Sequence, residues 1–395
     1  MLSWEETPSI SSMRWERAWV EVNLSAIAHN VRQIRTLLPP HTELMAVIKA
    51  DAYGHGAVSV ARTVLKAGAS RLGVATIPEG IELREAGIRA PILVLGATYT
   101  PEQLQAMSRW QLEPTLCSPK QALVFAESCR DRPIPVHLKL DTGMSRLGVP
   151  WQEAAQFVEL VRGLPHLKIA SIYSHFATAD RPDRGVMDLQ HGRFRKAIAQ
   201  IRELGLELPP LHLANSAATL SDRATHYDLV RVGLAIYGLY PAPHLNGAIA
   251  LQTALQVKAR VTQVKTVAAG TGVSYGHRFV TDRETRLAVV GIGYADGVPR
   301  PLSDRMQVLI RGCRVPQVGA ITMDQIMLDV TDIPQVEVGD VVTLLGRDGD
   351  ETISADDWAA TLGTISWEIL CGFKHRLPRV AIAEERRTHE SKLRS

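Results

Sequence analysis

Short apolar runs alternate with amphipathic stretches along the first part of the chain. From about residue 44 to 238 the runs are ELMAVIKA, RLGVAT, PILVLGA, QLEPTLC, PVHLKLDT, KIASIYSHF, LHLANS and LVRVGLAIYG, each the length of a buried strand. Segments between them, such as GAVSVARTVLKAG, IPEGIELREAG and PWQEAAQFVELVRGL, carry apolar residues three and four apart and end in or near glycine, as amphipathic helices do. Eight strands alternating with helices predict parallel pairing, an α/β chain whose first domain is a (β/α)8 barrel of the TIM type. After Pro241 the rhythm changes, and ALQVKARVTQVKTV, RLAVVGIGYADGV, MQVLIRGCRVPQV, QIMLDVTDI and GDVVTLLG predict a mostly β C-terminal domain. SADDWAATLGTISWEILCGF reads as helical again, with Ser354 and the two aspartates after it suiting an N-terminus. The expected boundaries are a barrel over 24–250, a β-domain over 251–384, with a strand at 17–23 that could belong to either domain, and a polar tail over 385–395. EERRTHESKLRS at the end is the one stretch whose composition reads as disordered.

Composition narrows the class without naming a function. At 395 residues the chain exceeds the usual size of one core, with 46% apolar and 22% charged residues, the balance of a globular protein. A net charge of +3, with basic and acidic residues interleaved, gives no footprint for nucleic acid. The N-terminal MLSWEETPSISSMRW has neither the basic nor the apolar region of a signal peptide, and no segment has the uninterrupted apolar length of a membrane span, so a cytoplasmic location is expected. Cysteines 117, 129, 313 and 371 have no CxxC spacing and predict neither a disulfide framework nor a metal site; they read as small buried apolar residues.

The chemistry-bearing residues fall at the ends of the expected strands, where barrel enzymes place their sites. They are Lys49, Lys139 with Asp141, His175, Asn215 with Ser216, and Arg231 with Gly233. Taken singly each has a bland reading: a snorkelling lysine, a satisfied histidine, a helix cap, an arginine paired with Asp228. Lys49 is the distinctive one. It closes an apolar run in AVIKADAYGHG, where an ammonium must be hydrated, paired or chemically used, and Gly54 and Gly56 predict a tight turn that leaves it at the mouth of a loop. A lysine nucleophile, a cradle of small residues for phosphate and a group able to face a pyridine nitrogen together suit pyridoxal 5'-phosphate held as a Schiff base.

With these residues in view, the chain resembles the alanine racemase family from about Trp19 to Arg379. AVIKADAYGHG, LKLDTGMSRLG, SHFATAD, ANSAAT, VRVGLAIYG, VSYGH, GYADGVPR and MDQ match family motifs in the family's order. The resemblance implies a racemase interconverting L- and D-alanine through an external aldimine of pyridoxal phosphate, supplying D-alanine for peptidoglycan. It assigns the cofactor to Lys49, Tyr53, His175, Asn215, Ser216, Arg231, Gly233 and Leu234, with His212 behind Arg231, and the two bases to Lys49 and Tyr275. It assigns the substrate to Arg146 and to Met323, and it makes Lys139 a candidate carbamylated lysine. Tyr275 and Met323 come from the partner subunit in this family, which implies a homodimer with shared sites.

One position departs from the family pattern. Where ISYE is usual the chain has ISWE, and Trp367 puts an indole where a phenol contributes to phosphate binding. An indole N–H donates but cannot accept. A serine-preferring or broad racemase is therefore the alternative within the class. An amino-acid decarboxylase of similar architecture is disfavoured by Arg231 and Tyr275, and a non-catalytic cofactor-binding barrel by the presence of the β-domain.

Overall fold

The structure is a computed structural model describing residues 16–128 and 133–382; Cys129 and the tail over 385–395 lie outside the described residues. Its Cα packing divides the chain into two units. One comprises Ala26–Ala52 and Gly56–Thr253; the other takes the described residues up to Ser25, Tyr53–His55, and those from Ala254 onward.

The first unit is the expected barrel. Its strands are β1 (Glu43–Val47), β2 (Arg71–Val74), β3 (Ile92–Ala97), β4 (Glu113–Leu116), β5 (Ile134–Asp141), β6 (Leu167–Tyr173), β7 (Leu211–His212) and β8 (Leu229–Val232). Each pairs in parallel with the next, and β8 returns to β1 through Arg231 opposite Met45, so the sheet closes. Helices such as Ala57–Ala67, with Val60, Ala61 and Val64 buried, cover the outside. Two are started by capping boxes legible in the sequence, Thr76 with Glu79 and Thr100 with Gln103, each with proline in the first turn. Inside, Met45, Leu93 and Leu229 pack together against Leu95. The inner face of β4 to β8 is polar instead, for Thr115, His137, Lys139, Ser171, Tyr173, His212 and Arg231 are all buried.

The second unit is built on the long strand Leu255–Val267, whose register shifts between Val261 and Gln263. From Leu255 to Arg260 it pairs antiparallel with Ala18–Asn23 and Val341–Asp348; from Val261 on, with Thr285–Val290. Ala18–Asn23, whose place the sequence left open, lies in this sheet and also pairs in parallel with Arg379–Ile382. Asp296, in GYADGVPR, is held by two hydrogen bonds from Arg17 at 2.9 and 2.7 Å and by Arg376 at 3.4 Å, and accepts from the Gly293 N–H. The stretch read as one helical segment forms two helices, Ala355–Leu362 and Ser366–Gly372, because Gly363 turns left-handed at φ 71° and ends the first. Ser354 does cap the first, accepting from Asp357.

The cysteines depart from expectation. Cys313 is exposed and Cys117 and Cys371 are half-buried, none of the three in a disulfide. No helix among the described residues is long and apolar enough to cross a membrane.

Candidate active site

Lys49 follows the end of β1 by two residues, and the chain there does something the sequence did not announce. Ala50, Asp51, Ala52 and Tyr53 all have φ between 52° and 55°, and Gly54 follows at 82°, so Lys49–Gly54 is a left-handed helical turn and not the glycine-hinged loop expected. Each non-glycine residue in that conformation costs roughly 1–2 kcal/mol, because Cβ crowds the next carbonyl. Specific bonds hold the turn in place: Ala52 N–H to the Ile48 carbonyl at 2.9 Å, Ala50 N–H to Glu79 at 2.8 Å, and Ala57 N–H to the Asp51 carboxylate at 2.8 Å. Strain retained beside a half-buried lysine is the pattern of a positioned functional group.

Arg231 occupies the centre of the polar face, 3% exposed. It donates to His212 Nδ1 at 3.1 Å, to His175 Nδ1 at 3.0 Å, and to the carbonyls of Ser174 at 2.8 Å and Leu213 at 3.1 Å. All of these bonds come from Nη1 and Nη2, and none from the Nε–H. Since arginine can only donate, both histidines must present bare Nδ1 atoms and carry their protons on Nε2. Burial, then the charge of Arg231, pushes the pKa of both well below the usual histidine value, so they are neutral at pH 7. Burial also lowers Arg231 itself, to about 10.

Tyr173 stacks on His212 with ring centroids 4.6 Å apart, and Lys139 Nζ lies 4.2 Å from the Tyr173 ring centroid. Burial, then Arg231 and Arg146, drives the Lys139 pKa well below that of a free lysine. Cys117, beside it, is raised to about 11 by burial despite the opposing lysine charge. Arg146 is exposed, following the turn that Asp141 makes by accepting from the Gly143 and Ser145 N–H groups. Gly148 closes this loop at φ 114°, where a Cβ would lie 2.7 Å from the Lys139 carbonyl oxygen.

Next to this cluster, Asn215 caps the helix Ser216–Ser221 by accepting from Ala218 N–H at 3.0 Å. Ser216 Oγ accepts the Gly233 N–H at 3.0 Å, which leaves its own hydrogen available to an acceptor. Leu234 opens a 3-10 turn, where N–H groups have no intrahelical partner. The barrel unit thus contains Lys49, Lys139, Arg146, His175, His212, Asn215, Ser216, Arg231, Gly233 and Leu234.

The remaining candidates lie in the second unit. Tyr53 is buried, and its phenol pKa is raised by that burial and then by the nearby Cys371. Gly54 runs so close to the helix Ser366–Gly372 that a Cβ would sit 2.6 Å from the Leu370 carbonyl oxygen, and Trp367 is half-buried on that helix. Tyr275 and Met323 are 73% and 53% exposed. Tyr275 opens a short turn fixed by Ser274, whose hydroxyl donates to the Ala320 carbonyl at 2.7 Å.

Sequence reasoning missed Thr115, His137, Ser171 and Tyr173. One signal was available: in VHLKL and SIYSH polar residues recur every second position, so His137 with Lys139, and Ser171 with Tyr173, share one face of strands that otherwise read as apolar.

Comparison with known proteins agrees over nearly the whole length. Residues 22–241 match the family Alanine racemase, N-terminal domain, and residues 254–381 match Alanine racemase, C-terminal domain. Relatives named alanine racemase include one from Nostoc sp., 67% identical over 93% of this chain and 96% of its own, and one from Synechocystis sp., 61% identical over 93% and 99%. Similar solved structures include the Bacillus anthracis alanine racemase with bound L-Ala-P, at TM-score 0.88 and 38% identity over 94% of this chain and 96% of that one. The alanine racemase of D-cycloserine-producing Streptomyces lavendulae has the same TM-score at 37% identity over 96% and 99%. Matched in both halves and at these identities, the chain belongs to the alanine racemase family.

Proposed function

We propose that this protein is a pyridoxal-phosphate-dependent racemase interconverting L- and D-alanine, working as a cytoplasmic homodimer and supplying D-alanine for peptidoglycan. Its cofactor domain would be 24–250 and its β-domain 251–384. The observation that carries the reading beyond family membership is the donor set around Arg231. A buried guanidinium makes its bonds through Nη1 and Nη2 and none through Nε–H, and Lys49, Lys139 and Arg146 are close enough for their charges to act on His175. Such a site suits a planar ring nitrogen that accepts a hydrogen bond and a ligand that brings negative charge, and pyridoxal phosphate has both. Ser216 and the N–H groups of Gly233 and Leu234, with Tyr53 and Trp367, would hold the phosphate, Asn215 shaping that cradle and His175 lying by the ring.

Pyridoxal phosphate, when bound, supplies the electron withdrawal that acidifies the α-C–H of an amino acid. Lys49 would anchor it and then move a proton at Nζ on one face of the substrate, with the Tyr275 phenol moving one on the other. Arg231 would donate to the ring nitrogen but could not surrender a proton, so that nitrogen would stay unprotonated and electron withdrawal would stay moderate. Arg146 would orient the substrate carboxylate. Tyr275 and Met323, an aromatic and a thioether held out to solvent in one subunit, fit residues that complete the site of a partner.

Lys139 is proposed to carry a carbamate. Its low pKa favours the neutral amine that reacts with carbon dioxide, and an anion there would balance Arg146. A native mass equal to that of the unmodified chain would remove this assignment.

The deciding experiment adds pyridoxal phosphate to the purified protein, reduces with borohydride and maps the labelled peptide, while following D-alanine formation from L-alanine. Label on Lys49 with racemisation is expected; a colourless protein that leaves alanine unchanged overturns the reading. Mixing Lys49→Ala and Tyr275→Phe protomers should restore activity if the sites are shared. L-Serine turnover exceeding that of L-alanine would favour the serine alternative.

A further inference from the structure

The polar face of the barrel does not stop at His212. His212 Nε2 is 2.6 Å from Ser171 Oγ, Ser171 Oγ is 2.5 Å from His137 Nδ1, and His137 Nε2 is 2.7 Å from Glu113 Oε2. All four residues belong to the barrel unit, on strands β4 to β7. His137, Ser171 and His212 are fully buried, so this is a path through the core. Glu113 ends it at a cleft of about 280 Å3 that Arg84 and Arg89 also line, with Arg71 3.6 Å away.

The direction of every bond follows from the first. Arg231 can only donate, so His212 Nδ1 accepts and its proton is on Nε2. That proton goes to Ser171 Oγ, and the serine hydrogen must then go to His137 Nδ1. With Nδ1 accepting, the proton of His137 is on Nε2 and is donated to Glu113. Donation therefore runs one way from a cation to a carboxylate: Arg231, His212, Ser171, His137, Glu113. Reversing it would place an N–H of His212 against an N–H of Arg231. Such chains polarise cooperatively in a low dielectric.

We propose that Ser171, His137 and Glu113 are positioning residues for Arg231: through this one-way chain Glu113 serves as the remote counter-ion of the guanidinium and keeps His212 neutral with Nδ1 toward it. The proposal rests on the reading that Arg231 faces the ring nitrogen of the cofactor. A guanidinium stabilised in this way is a poorer acid and would leave that nitrogen unprotonated. The carboxylate at the far end is itself suited to the task. Burial alone would raise its pKa, but the His137 hydrogen bond and the charges of Arg71 and Arg84 hold it below the usual carboxylate value.

The test uses the full-length holo-protein labelled with 15N-histidine. In the wild type the imidazole 15N shifts should report His212 and His137 both protonated on Nε2 with Nδ1 bare. A proton on Nδ1 of either overturns the chain before any variant is made. Ser171→Ala should introduce the second tautomer or a protonated state at His212. Glu113→Gln, which retains the acceptor but removes the charge, should lower kcat roughly tenfold, as loss of an orienting partner behind a primary ligand does. KM for alanine should be unchanged, and the cofactor absorption band should titrate at a different pH. Unchanged His212 shifts in Ser171→Ala, or an unchanged kcat and band in Glu113→Gln, would overturn it. Correct tautomers in a protein that does not racemise alanine would sink the functional reading and not the chain; racemisation with wrong tautomers would do the reverse.

Discussion

Two sectors of the same barrel interior are built by opposite rules. Met45, Leu93, Leu95 and Leu229 fill one, the apolar layering usual inside such barrels. Thr115, His137, Ser171, Tyr173, His212 and Arg231 fill the other, equally buried but joined by hydrogen bonds. Even Tyr173 fits this order: Thr115 spends its hydrogen on the Val94 carbonyl, so the Tyr173 hydroxyl must donate to Thr115 at 2.8 Å, which fixes the ring under His212. The apolar sector tolerates any close-packed filling. The polar sector allows one donor at each place, because an unpaired buried polar group costs about 1–3 kcal/mol. Shape holds one side of the barrel; proton position holds the other.

That contrast is sharpest at Arg231. Arg231→Gln should cost roughly 10²–10³-fold in kcat, the magnitude for losing one preorganised electrostatic donor, and steady-state racemisation of alanine measures it. Leu93→Ala, in the apolar sector, should instead remove about 2–5 kcal/mol of stability through lost transfer energy and a cavity, while kcat of the folded protein is unchanged. Denaturant unfolding combined with the racemisation assay separates the two; a large loss of kcat in Leu93→Ala would erase the distinction between the sectors.

Acid should find the polar sector first. His175 and His212 have folded pKa values well below the roughly 6.5 of an unfolded histidine. Below that pH the unfolded chain binds protons that the folded one refuses, so their contribution is full above pH ~6.5 and is lost as pH falls toward the folded values. Each should add up to about 1.4 kcal/mol of destabilisation per pH unit in that window. Thermal unfolding between pH 7 and 5 reads this, and His175→Asn should flatten the slope. A profile flat across this range would mean that the histidines are not held neutral.

The smallest effect concerns Asn215. Its side chain caps a helix, so Asn215→Ala should cost about 1 kcal/mol and Asn215→Asp, which keeps the cap, almost nothing. A large rise in the cofactor concentration needed for activity in Asn215→Asp would instead make it a direct contact.

Much of this was legible in the chain itself, for physical reasons that differ by feature. The alternation of buried strands and amphipathic helices was readable because parallel pairing on both faces leaves long apolar runs. Lys49, Arg231 and Ser216 could be named as candidates because each stands at a strand end in a distinctive motif. Glu113, His137 and Ser171 were not, since each is ordinary alone and they lie on three strands. The glycines of AVIKADAYGHG suggested a hinge, yet the left-handed turn falls on Ala50 to Tyr53, where nothing local favours it.

Strand count, helix starts and the identity of the chemical groups were thus set by the sequence alone, since they depend on periodicity and residue type over a few neighbours. Tertiary structure decided which nitrogen of each histidine carries the proton, and it decided that four L-residues would bear left-handed strain beside Lys49. Both are outcomes that only distant partners can enforce: a buried guanidinium that cannot accept, and a closed barrel whose contacts outweigh the local preference of the chain.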